Sequence, residues 1–140
     1  VSAEFVVARS VHGPIPSGTK RQHWSYALGV QLRLWSLACA ATDPLEKIVL
    51  LYQIIELSNP TFPPYTDATK APDPLTECKL LRHLVVHSGD VGGGELKTYC
   101  SYLGLPPVML DRTDISYVEL LSRKWKLVEK QAEHVLQRAL

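Results

Sequence analysis

From Arg21 onward the chain is organised by apolar residues that recur every three or four positions, the period of helices with one buried face. Trp24, Leu28, Leu32, Trp35 and Cys39 form the first such stripe, which predicts a helix running to about Ala41. Asp43-Pro44 then supplies a start signal, since an aspartate accepts the first free amides and proline is preset for the first turn. Leu45, Ile48, Val49, Tyr52 and Ile55 make the second stripe, which Asn59-Pro60 ends. Asp73-Pro74 repeats the start signal for a third helix, with Leu75, Cys78, Leu81 and Val85 on its apolar side and Gly89 and Gly92 to Gly94 as its stop. Glu95 to Leu103 reads as a short fourth helix closed at Gly104. From about Asp114 to Ala139, Val118, Leu121, Trp125, Val128, Ala132, Val135 and Ala139 predict one last helix, about 40 Å long at ~1.5 Å per residue.

The remaining stretches lack that period. Glu4 to Arg9 is short and β-branched and His12 to Thr19 is rich in glycine and proline, so residues 1–20 read as an extended lead-in that holds at most one strand. Pro60 to Pro72 carries four prolines with Phe62 and Tyr65, which makes it a semi-rigid loop rather than a helix. The expected fold is therefore all-α: a four- or five-helix bundle over residues 21–140, in one domain.

Composition narrows the functional classes. At 140 residues the chain has enough length for one core, and its 46% hydrophobic and 21% charged residues are ordinary for a globular protein. Fifteen basic against fourteen acidic side chains argue against coating nucleic acid through bulk charge, so any such contact is local. Cys39, Cys78 and Cys100 lack the paired spacing of a zinc site or disulfide framework, which suits a reducing cytoplasm, with Cys39 and Cys78 as small core residues. No apolar run approaches the ~20 residues needed to span a bilayer, so no membrane association is expected. The three tryptophans fall on apolar stripes and are expected in the core.

One constellation carries candidate chemistry. On the third helix, at ~100° per residue, His83 lies about 100° and His87 about 140° from Arg82, so one cation and two imidazoles share a sector. Adjacent positive charge and partial burial favour neutral imidazoles, fit for proton transfer near neutral pH. Arg82 offers forked donors for a phosphate or carboxylate. That pairing is what metal-independent cleavage of RNA needs: one group moves the proton of the 2′-hydroxyl or leaving oxygen, the other holds the anionic phosphorus. A plain structural reading stands beside it, with the histidines capping the helix end and Arg82 in a surface ion pair. Metal binding by His83 and His87 lacks a third ligand, because Cys78 faces the apolar side and Asp90 lies past the helix end, so no metal or cofactor is expected.

The run Leu81-Arg82-His83-Leu84-Val85-Val86-His87-Ser88-Gly89 resembles the signature of HEPN domains, small helical bundles that are often RNases. Their motif is an arginine, a polar residue, three variable residues and a histidine, matched here by Arg82, His83 and His87. The resemblance implies a homodimer in which two motifs meet in one composite site that cleaves RNA to a 2′,3′-cyclic phosphate without metal. It implies catalytic roles for Arg82, His87 and His83, and an acidic support for the arginine on the preceding core helix, for which Glu56 is nearest. RNA and an antitoxin or regulatory protein are the partners this implies. The alternative is the same dimeric bundle without turnover, holding a nucleotide or a partner protein.

Overall fold

The structure, a computed structural model, describes residues 25–86, 94–106 and 111–140. The fold is all-α, and the described residues form six helices: α1 (Tyr26–Ala40), α2 (Pro44–Glu56), α3 (Pro74–Val86), α4 (Gly94–Leu103), α5 (Ile115–Ser122) and α6 (Trp125–Ala139). The expected lead-in over residues 1–20, and Trp24 with it, lie outside the described residues.

Helix boundaries follow from local chemistry. The hydroxyl of Ser25 accepts from the amide of Leu28 at 3.1 Å to open α1. Asp43 Oδ1 and Asp73 Oδ2 accept from the amides of Leu45 and Leu75, each at 3.0 Å, so both Asp-Pro pairs act as caps. Asn59, with φ of 52°, takes the left-handed turn after α2. Gly104 does the same after α4 at φ of 74°, where the amide of Leu105 reaches back to the carbonyl of Cys100 at 2.9 Å. The C-terminal end of α1 has no basic residue of its own, and Lys47 from α2 supplies one by donating to the carbonyl of Ala38 at 2.8 Å.

Helix α2 is the centre of the bundle and packs against α1, α3 and α6, while α4 rests on α3. Ile48, Ile54 and Ile55 of α2 are fully buried, as are Leu81 of α3, Leu121 of α5 and Val128 and Leu136 of α6. At about 1.5–3 kcal/mol for each such side chain, this shared core is what fixes α3 relative to α2. Within it, Gln31 donates from Nε2 to the carbonyl of Ile54 at 2.9 Å, which satisfies a buried amide across the α1–α2 contact.

The single long helix expected from Asp114 to Ala139 is instead two. Arg123 and Lys124 interrupt it, and the amides of Lys124 and Leu127 make tight bonds to Leu121 and Lys124 carbonyls. The apolar stripe continues across the break, with Leu121, Val128, Ala132 and Val135 buried, so its period carries no mark of the interruption. Two further expectations change. Cys39 is exposed, because the inner face of α1 runs through Trp35 and Ala38. Trp125 is only half-buried, with the ammonium of Lys47 5.0 Å from its ring centroid.

Candidate functional site

Arg82 and His83 lie on α3 immediately after Leu81, which is fully buried, and are followed by Leu84 and Val85, which also face the core. The helix thus turns one face inward and carries Arg82 and His83 outward. Both are exposed, so the partial burial expected of His83 is not found in the single chain. The reason is geometric: at ~100° per residue Cys78, Leu80, Leu81, Leu84 and Val85 fill one side of α3, and Arg82 and His83 fall on the other. His87 lies one position beyond Val86, outside the described residues.

The guanidinium of Arg82 sits over the ring of Tyr52 on α2, 5.9 Å from its centroid. That distance is within the range of a cation–π contact. Glu56, the expected acidic support, is exposed one turn further along α2, and its charge is felt at the same phenol. Burial pushes the Tyr52 hydroxyl above its ordinary range, Glu56 pushes it further and Arg82 pulls the other way. The structure therefore brings Arg82 to Tyr52 at one edge of the α2–α3 contact, with Glu56 four residues after Tyr52 on α2. Tyr52 is 4% exposed, and its place on the α2 stripe marked it only as a core residue.

The loop between α2 and α3 closes one side of this edge. Phe62 stacks on Tyr52 with centroids 6.5 Å apart and planes 25° apart, and Lys79 places its ammonium 5.0 Å from the Phe62 ring centroid. Lys79 also pairs with Glu95 of α4 at 3.0 Å. Beyond Phe62 the loop is tied down: Thr76 Oγ1 donates to the carbonyl of Pro63 at 2.6 Å, and the amide of Tyr65 donates to Glu95 Oε2 at 2.8 Å. Lys79, with its carboxylate partner beside it, is thus a neutralised charge, whereas Arg82 presents its cation against an aromatic face.

A second polar cluster lies deeper, one turn before the site on α3. Glu77 is 8% exposed, and its Oε2 accepts from the Tyr99 hydroxyl at 2.5 Å and pairs with Lys124 Nζ at 3.0 Å. Among the described residues no three His, Cys, Asp or Glu side chains are gathered to hold a metal ion, and no helix is long and apolar enough to cross a membrane. No family model, curated protein or solved structure matches the chain.

Proposed function

We propose that the chain is a metal-independent endoribonuclease of the HEPN type that works as a homodimer. In this reading Arg82 stabilises the scissile phosphate, His87 carries the proton and His83 assists, with Glu56 as acidic support for the arginine. The observation that supports it is the outward display of Arg82 on a helix whose other face is locked in the core. A guanidinium in that position is ready for an anion brought by RNA or by a second protomer's groove. RNA is the substrate, the product a 2′,3′-cyclic phosphate, the setting a reducing cytoplasm, and an antitoxin or regulatory protein a further partner.

The test is incubation of the pure protein with tRNA in EDTA, with sedimentation to give the oligomeric state. Cleavage that falls by two orders of magnitude or more, roughly, in Arg82→Ala and His87→Ala is expected. Cleavage by both variants at the wild-type rate ends the nuclease reading.

The second reading, a nucleotide- or partner-binding module without turnover, draws on the near-neutral charge and on the pairing of Lys79 with Glu95 and Lys124 with Glu77, which neutralises two of the cations around α3 among the described residues. Binding of an RNA oligonucleotide with no cleavage at any enzyme concentration selects it.

A further inference from the structure

An arginine on a surface helix has a long, flexible stem, and a site that needs its fork in one place has to restrict it. A carboxylate does so by taking the N–H donors, which then have to be surrendered to the substrate. An aromatic face acts differently, because it attracts the cation through its π-density and leaves the in-plane N–H groups available.

Tyr52 supplies such a face. It is held from behind by the core, being 4% exposed between the fully buried Ile48 and Ile55 turns of α2. It is held from the side by Phe62, whose loop is itself anchored through Thr76 to the carbonyl of Pro63. The ring is thus a fixed platform, with Arg82 over it at 5.9 Å. The phenol is neutral near neutral pH at its ordinary value of 10.0, which burial raises further, so no phenolate is present to seize the fork.

We propose that Tyr52 is a positioning residue for Arg82, whose ring seats the guanidinium with its forked donors free for an RNA phosphate. The proposal rests on Arg82 being the phosphate-binding group of the reading above. It assigns the role to the ring and none to the hydroxyl, so Tyr52→Phe and Tyr52→Leu separate the two.

The experiment uses the full chain in four forms besides wild type: Tyr52→Phe, Tyr52→Leu, Arg82→Ala and the Tyr52→Leu/Arg82→Ala double variant. Each is assayed for kcat/KM on a short RNA in EDTA, and for Kd on the same oligonucleotide carrying 2′-deoxy sugars, which lacks the attacking hydroxyl. Tyr52→Phe stays within about twofold of wild type, whereas Tyr52→Leu loses roughly three- to tenfold, and that loss disappears once Arg82 is alanine. An equal loss from Tyr52→Leu with and without Arg82 overturns the positioning role and leaves the nuclease reading standing. Binding without turnover in wild type overturns the nuclease reading alone, since the coupling is then read from Kd. Absence of both binding and turnover overturns the two together. Should Tyr52→Leu fail to fold, the wild-type protein still decides: the Arg82 δ-methylene protons are expected upfield by ring current, and ordinary shifts for them overturn the seat.

Discussion

Lys124, in the break between α5 and α6, holds its ammonium 3.0 Å from Oε2 of Glu77, a nearly buried carboxylate on the helix that carries Arg82. The Tyr99 hydroxyl of α4 donates to the same oxygen. One carboxylate therefore joins three segments, α3, α4 and the α5–α6 break. Tyr99 is fully buried, and burial first, then the charge of Glu77, raises its hydroxyl far above the ordinary range, so it remains a donor at any physiological pH.

Removing that acceptor leaves the buried Tyr99 hydroxyl without a partner and the Lys124 ammonium with water alone. Glu77→Ala is expected to cost about 2–4 kcal/mol in urea unfolding, and Lys124→Ala, whose ammonium still reaches solvent, about 1 kcal/mol. Because both act on one oxygen, the double variant costs less than the two together. Strict additivity contradicts the shared-acceptor arrangement.

Glu95 makes the stability of the α3–α4–loop contact depend on acid. The hydrogen bond from Lys79 is the main reason its carboxyl lies below the ordinary value of 4.5, with the amide of Tyr65 and the charge of Lys79 adding to it. A carboxyl whose folded pKa is depressed contributes stability above its unfolded pKa and loses it as the pH falls through the folded value. Unfolding followed from neutral pH down to about pH 3 should show an acid loss that is smaller in Glu95→Gln, which starts less stable near neutrality. Parallel curves for the two proteins would sink this assignment.

Much of the bundle was legible because its boundaries are set by short-range chemistry. Asp43-Pro44, Asp73-Pro74 and Gly104 act within a turn of themselves, and all three end or begin helices where the pattern predicts. The break at Arg123 and Lys124 was hidden because the stripe through Leu121 and Val128 keeps its period across it, while the tie to Glu77 is a contact between distant segments. The site divides in the same way. That Arg82 shares a helix with His83 and faces outward follows from where Leu81 and Val85 must go. That Tyr52 lies beneath it follows only from how α2 and α3 pack, and a tyrosine on a core stripe gives no sign of what crosses its other face.

Gly104 gives a prediction free of packing. A methyl added there would meet nothing within 4 Å, yet φ is +74°, where a side chain is strained. Gly104→Ala should therefore cost about 1 kcal/mol through the backbone alone, and Gly104→Asn, which tolerates the left-handed region, less. Thermal melts that rank alanine above asparagine in stability would contradict this.

The three thiols should separate cleanly by reactivity. Cys78 is fully buried on α3, and burial, with the charges of Glu77 and Asp73 adding to it, pushes its thiol up to about 12. Cys100 is buried on α4 and also shifted up by burial, whereas Cys39 is exposed on α1. Since the thiolate is the nucleophile, a thiol that is both covered and held protonated does not react near neutral pH. Native protein treated with a thiol-specific alkylating reagent is expected to take up one equivalent, located at Cys39 by peptide mapping, and three after unfolding in guanidinium. Labelling of Cys78 in the native protein at a rate near that of Cys39 would mean that α3 leaves the core on the timescale of the reaction, and a helix that opens in that way offers Arg82 no fixed seat.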